Sequence, residues 1–188
     1  MRIISGNHKG KKILLPKDKL TRPLKDLTKE SIFNIIKHSK LLNVKIEKSN
    51  ILDLFSGIGS FGLECLSRGA ANVTFFENYK EVLIILKKNI DNLKQKNYSN
   101  IIEKDIFLKN TLEGLNRKFD IIFMDPPFKE KKLTCLLNII IKLKLLKDNG
   151  IIIIHRHKKE KDIFPNEFNI IIKKSYGISK IIFGDTLG

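Results

Sequence analysis

Cysteine is scarce in this 188-residue chain: there are two, Cys65 and Cys135, in separate amphipathic stretches and without CxxC spacing. That excludes a disulfide framework and fits a reducing compartment, so both read as core thiols. No apolar run approaches the roughly 18 residues needed to span a membrane, and the opening MRIISGNHKGKK lacks the apolar centre of a secretory signal. A soluble, cytoplasmic protein without a membrane partner is expected. Low-complexity linkers and internal repeats are also missing, and the length, with 42% hydrophobic content, argues for one sizeable core. Arginine is sparse as well: Arg2, Arg22, Arg68, Arg117 and Arg156 are the only ones among 36 basic residues.

What is abundant is lysine. The net charge is +16 and the isoelectric point about 9.8, a balance that suits a polyanion whose phosphates reward clustered cations by counterion release. An AT-rich genome would also enrich Lys, Ile and Asn. The basic residues nevertheless thin out in the predicted strands and gather in the first 30 positions, which favours a nucleic-acid partner.

Apolar strands alternate with helical periodicity, the pattern of a mainly parallel sheet covered by helices on both faces. Strands are predicted at residues 50–55, 72–77, 100–103, 119–124 and 150–155. Stripes at three-to-four spacing (Tyr79, Val82, Leu83, Leu86, Ile90, Leu93; then Leu133, Leu136, Leu137, Ile140, Ile141, Leu145) mark helices between them. Beyond Pro165, residues 168–173 and 178–183 flank Tyr176-Gly177 and read as a terminal antiparallel hairpin. The expected fold is α/β and Rossmann-like, a seven-stranded sheet. Residues 46–188 form that domain, and residues 1–45 a small extension of two β-like pieces, 2–4 and 12–15, and a helix carrying Ile32, Phe33, Ile35 and Ile36.

The first chemical motif is ILDLFSGIGSFG, in which Gly57, Gly59 and Gly62 follow a strand and open a helix. Glycines there allow a sharp turn and close backbone approach to a ligand. Glu77 ends the next strand, where a carboxylate can accept hydrogen bonds from ribose hydroxyls. A nicotinamide dinucleotide and S-adenosylmethionine both fit so far. Asp53, four residues before Gly57, separates them, because it would repel a pyrophosphate but suits an ammonium. Asp105, after the third strand, suits an adenine amine or the N-cap of a short helix starting near Ile106.

The second motif is DPPF, Asp125 to Phe128, at the end of the fourth strand and so beside the glycine loop. Two prolines remove two backbone donors and leave rigid carbonyl acceptors. If Asp125 and the Pro126 carbonyl each accept one N–H of an exocyclic amine, its lone pair is freed to point at a methyl donor, and Phe128 can stack on the base. His155-Arg156-His157 lacks further ligands at metal spacing and reads as a solvated strand end, so no metal is expected. His8 and His38 are isolated.

The order LDLFSGIGSFG, Glu77, DPPF resembles the class I S-adenosylmethionine-dependent methyltransferases that modify exocyclic amines. More narrowly, MRIISGNHKGKKILLP, TRPLKDLTKESIFNII and GLECLSRGA resemble the RsmD family of bacterial 16S rRNA guanine-N2 methyltransferases. The resemblance implies a cofactor site of Asp53, Phe55, Ser56, Gly57, Gly59, Glu77, Asn78, Asp105 and Ile106, holding S-adenosylmethionine. It implies a catalytic Asp125, Pro126, Pro127 and Phe128, and RNA contacts from Arg2, Lys9, Lys11, Lys12, Arg22 and Lys29. Lys29 stands where the family often has Arg, keeping charge without the planar fork. The implied substrate is a loop guanine in the head of the small ribosomal subunit or its assembly intermediate, met by a monomeric enzyme. An adenine-N6 or protein-glutamine methyltransferase would share the cofactor loop and tetrapeptide. A non-enzymatic RNA-binding protein would have no use for acids at three strand ends.

Overall fold

The computed structural model describes residues 1–16, 24–108 and 110–187. In chain order these form α1 (Asp26–His38), β1 (Asn50–Leu54), α2 (Ser60–Ser67), β2 (Asn72–Phe76), α3 (Lys80–Asn92), β3 (Ser99–Ile102), β4 (Phe119–Met124), α4 (Leu133–Lys142), β5 (Leu146–His157), β6 (Phe168–Tyr176) and β7 (Ser179–Thr186). One sheet runs β3-β2-β1-β4-β5-β7-β6. Its first five strands are parallel, and β7 and β6 are antiparallel.

The central strands β1 and β4 and the second half of β5 are mostly apolar because both of their faces are covered. Ile51, Ile121, Phe123, Ile153 and Phe183 point to one face, where they meet α1, α2 and α3. Leu52, Leu54, Ile122, Ile154 and Ile182 point to the other, onto α4 through Leu133, Leu136, Leu137 and Ile140. The chain leaves β1 outward to β2 and β3, then returns to β4 on the opposite side of β1. Such a reversal opens a crevice at the carboxyl ends of the two strands. Register pairs Asp53 with Phe123 and Leu54 with Met124, so the glycine loop and DPPF leave the sheet side by side.

Strand β4 has the expected bounds, whereas β5 begins four residues earlier than the sequence suggests; in the terminal hairpin β6 runs on to Tyr176 at the turn and β7 runs on to Thr186 at its far end. The two amino-terminal β-like pieces reduce to a single bridge between Arg2 and Lys12. Side chains hold this segment: Ile3 and Ile13 are buried in the core with Ile32, Phe33 and Phe61. The Glu64 carboxylate accepts the N–H groups of Ile4 and Ser5 at 2.8 and 3.0 Å.

Lys29 belongs to this anchorage and not to an RNA surface. Its side chain is fully buried, donates to the Arg2 carbonyl at 2.9 Å and lies 3.7 Å from Glu64. Burial lowers its pKa, an effect that Glu64 and Asp26 oppose. Of the two cysteines, Cys65 is a core thiol but Cys135 is exposed on α4. Among the described residues no helix is long and apolar enough to cross a membrane.

Candidate active site

At the end of β1 the chain turns sharply. Phe55, Gly57 and Gly59 have φ of 62°, 55° and 83°, in the left-handed region that only glycine enters freely. The Ser56 hydroxyl pins the turn by donating to the carbonyls of Asp53 (2.7 Å) and Phe76 (3.0 Å). Gly62 has another role than ligand approach. A Cβ there would lie 2.3 Å from the Phe75 ring, so this glycine lets α2 pack against β2.

Asp53 lies beneath this loop, 1% exposed. Its Oδ2 accepts the Gly62 N–H at 3.0 Å. Its Oδ1 is the buried side-chain polar atom, among the described residues, that has no hydrogen-bond partner. Burial pushes the Asp53 carboxyl well above its ordinary pKa; the Gly62 N–H opposes this, and the charges of Asp125 and Glu77 add to it.

Glu77 follows β2 directly. Its Oε2 accepts the Gly57 N–H at 2.8 Å, and its Oε1 the N–H groups of Asn78 and Tyr79, each at 2.9 Å. A carboxylate offers about four acceptor sites, so Glu77 both ties the glycine loop to β2 and keeps capacity for a further donor. Asp105 and Ile106 line an adjoining hollow of about 240 Å³ with Phe55, Asn78 and Pro127. The short helix expected near Ile106 is instead a turn, in which Asp105 Oδ1 accepts the Phe107 N–H at 2.9 Å.

Within DPPF, Pro126 is buried, Pro127 exposed and Phe128 half-buried. The Pro127 carbonyl is not a free acceptor. It takes the Glu130 N–H at 2.8 Å and Arg156 Nη1 at 3.1 Å. Among the described residues the Pro126 carbonyl accepts nothing, so one rigid acceptor remains beside Asp125. Phe128 presents its ring edgewise to His157, with centroids 5.2 Å apart.

The segment expected to be a solvated strand end is buried at His155 and Arg156. His155 Nδ1 lies 2.7 Å from Asp125 Oδ1, and its Nε2 lies 2.9 Å from Ser179 Oγ. Arg156 points to the loop after DPPF, donating through Nε to Asp162 and through Nη2 to the Glu130 carbonyl. A signal for this was present: four isoleucines in succession mark a strand covered on both faces, and His155 and Arg156 continue it.

These parts surround a cavity of about 520 Å³, lined by Asp53, Glu77, Asp125, Pro126, Phe128 and His155 among others, in the size range of a cofactor site. Among the described residues that line it, Lys25 is the single lysine or arginine. Phe55, Ser56, Gly57 and Asn78 also line it. Arg2, Lys9, Lys11 and Lys12 are exposed on the amino-terminal segment, and Arg22 lies outside the described residues. Among the described residues no group of three or more His, Cys, Asp or Glu is arranged to hold a metal.

A family model described as Conserved hypothetical protein 95 matches residues 1–185. The protein named Ribosomal RNA small subunit methyltransferase D of Buchnera aphidicola subsp. Baizongia pistaciae is 35% identical over 184 residues, 96% of this chain and 88% of that protein. Its namesake in Haemophilus influenzae is 32% identical over 183 residues, 95% and 90% of the two chains. The solved structure of the Haemophilus influenzae protein HI0767 aligns with a TM-score of 0.78 and 31% identity, covering 100% of this chain and 98% of that one. Matched from end to end in sequence and fold, this chain belongs to the RsmD family of S-adenosylmethionine-dependent methyltransferases.

Proposed function

We propose that this protein transfers a methyl group from S-adenosylmethionine to the exocyclic N2 amine of a guanine in 16S rRNA of the small ribosomal subunit. One observation carries the reading: Asp53, Glu77 and Asp125, at the ends of β1, β2 and β4, line one cavity, and Asp53 Oδ1 is buried in it unpaired. Carboxylates gathered in a partly dry site repel one another. A ligand with an ammonium and a sulfonium against a single carboxylate relieves that repulsion, whereas a pyrophosphate would add to it. The relatives named Ribosomal RNA small subunit methyltransferase D support the choice of substrate.

S-adenosylmethionine, when bound, supplies a methyl group already activated by the positive sulfur, so positioning and charge complementarity provide most of the acceleration. Asp53 holds the ammonium end, directly or through water, over the loop of Phe55, Ser56, Gly57 and Gly59. Glu77 and Asn78 hold the ribose, and Asp105 and Ile106 the adenine in the adjoining hollow. The target base leaves its stack to enter the cavity, which is easier in a loop than in a duplex. Asp125 and the Pro126 carbonyl accept the two N–H groups of the amine, and Phe128 packs on the base. Asp125 then takes the surplus proton, and His155 fixes its carboxylate. Arg2, Lys9, Lys11 and Lys12 contact RNA outside the cavity, and Arg22 contacts RNA as well.

The test is methyl transfer from labelled cofactor to small subunits that lack the modification, followed by nucleoside analysis. Labelled N2-methylguanosine is the expected product. N6-methyladenosine, or label only on protein, would overturn the reading.

A further inference from the structure

Two hollows share the same pair of walls. The active-site cavity is bounded on its outer side by Lys25 and Thr28 of the α1 region and by Ile178 and Ser179 of the β6–β7 hairpin. A second, more open trough of about 810 Å³ is bounded by later turns of α1, including Ser31, Asn34 and His38, and by Lys173, Lys174 and Tyr176 of β6. Thr28, Ser31, Ile35 and His38 recur every three or four residues, so a single face of α1 lines both hollows in succession. Across from them, Tyr176 and Ser179 are paired at the hairpin turn, Tyr176 facing the trough and Ser179 the active-site cavity. The trough therefore begins where the active-site cavity ends.

The two hollows differ in charge. Asp53, Glu77 and Asp125 line the active-site cavity, whereas no carboxylate lines the trough among the described residues. Lys174 and His38 are exposed there, Asn34 and Ser31 offer neutral polar groups, and Tyr176 presents a half-buried aromatic ring; Lys173, paired with Ile182, turns to the other face of the sheet. Cations that follow a backbone, beside an aromatic face for stacking, are what unpaired nucleic acid requires. From Thr28 to His38 the helix advances about 15 Å at 1.5 Å per residue, which matches about four stacked nucleotides at about 3.4 Å each.

We propose that the trough between α1 and β6 seats the single-stranded RNA flanking the target nucleotide and delivers that nucleotide into the active-site cavity. This rests on the rRNA methyltransferase reading above and extends it to a surface distinct from the basic amino-terminal segment. Lys174 contacts a phosphate, and Tyr176, at the junction, stacks on the base next to the flipped one. The charge contrast keeps RNA phosphates out of the cofactor site while drawing the strand to its mouth.

The experiment uses the full chain, small subunits lacking the modification and labelled S-adenosylmethionine, with wild type, Lys174→Glu and Tyr176→Ala. Both variants are expected to bind the cofactor as wild type does by calorimetry, which checks their folding. Lys174→Glu is expected to raise the KM for subunits by about tenfold. It should also lower the slope of log kcat/KM against log salt by about one, as for one lost phosphate contact. Tyr176→Ala should raise KM with little change in salt slope. If wild type is active while KM and salt slope are unchanged in both variants, the trough is not the RNA channel. If the variants instead change only the sedimentation of the protein, β6 is a self-association edge and the proposal falls. Wild type that labels no RNA overturns the functional reading itself, and this inference with it.

Discussion

His155 Nδ1 and Asp125 Oδ1 are 2.7 Å apart, joining the end of β5 to the end of β4. An ionised carboxylate can only accept, so the ring carries its proton on Nδ1. The other ring nitrogen, Nε2, lies 2.9 Å from the Ser179 hydroxyl, which can serve it as donor or acceptor. Asp125 Oδ1 is thus fixed, and Oδ2 has no protein partner among the described residues. His155→Ala is expected to leave cofactor affinity near wild type and to lower kcat about 10²-fold, the scale of a misplaced reacting group. His155→Asn, whose Nδ2 can donate from nearly the same place, should recover part of that loss. Steady-state kinetics with subunits as the varied substrate, alongside calorimetry for the cofactor, separates this from a folding defect.

His155 also shows where the sequence is legible and where it is not. Order and type of the core elements follow from patterning, because buried strands and amphipathic helices each impose a period. The glycine loop and DPPF fall side by side because the chain reverses between β1 and β4, and strand order alone implies that. Lys29 and His155 escape because a polar residue carries no mark of its partner. Lys29 is buried by Glu64, 35 positions away in sequence, and His155 by Asp125 and Ser179. The role of Gly62 likewise depends on Phe75 across the helix–strand interface.

Asp53 makes the stability of the free protein depend on pH. Unfolded, its carboxyl releases its proton near the ordinary value of 3.8; folded, burial holds the proton to higher pH. Between those two values the folded state binds the extra proton, so this group's contribution is fully present below the unfolded value and is lost as pH rises through the folded one. Thermal denaturation of the free protein across that window should show this decline, and Asp53→Asn should flatten it. A cationic ligand beside Asp53 favours the ionised form, so S-adenosylmethionine binding should release protons. Calorimetry in buffers of different ionisation enthalpy measures that release.

Glu64 anchors the amino-terminal segment through the N–H groups of Ile4 and Ser5, and is itself paired with Arg68 Nε at 2.8 Å and with Lys29. Glu64→Ala leaves a buried ammonium with the half-exposed Asp26 as its remaining acid, 3.6 Å away. Breaking a buried pair in this way costs about 3–5 kcal/mol, which for a chain of this size lowers Tm by roughly 10 °C. Removing both charges with Lys29→Met and Glu64→Gln is expected to cost less than Glu64→Ala alone, because no buried charge is then unpaired. Thermal melts of the three proteins check the ordering.

Gly6 and Gly10 separate the placement of the basic segment from its chemistry. Both have positive φ, 82° and 85°, so alanine at either meets backbone strain of about 1–2 kcal/mol. Only Gly6 adds a collision: a Cβ there would sit 1.8 Å from the Ser67 carbonyl oxygen, the same oxygen that accepts the Asn7 N–H at 2.8 Å, whereas at Gly10 nothing lies within 4 Å. Backbone cannot yield as a flexible side chain does, so Gly6→Ala must lift the turn off α2 and carry Arg2, Lys9, Lys11 and Lys12 from their places. Gly6→Ala is therefore expected to raise the KM for small subunits about tenfold and to expose the segment to limited proteolysis, with the cofactor Kd unchanged. Gly10→Ala is expected to stay within about threefold of wild type in KM, since its cost of about 1–2 kcal/mol falls on local stability. Equal effects of the two substitutions would show that strain alone, and not seating of the segment on α2, governs substrate binding.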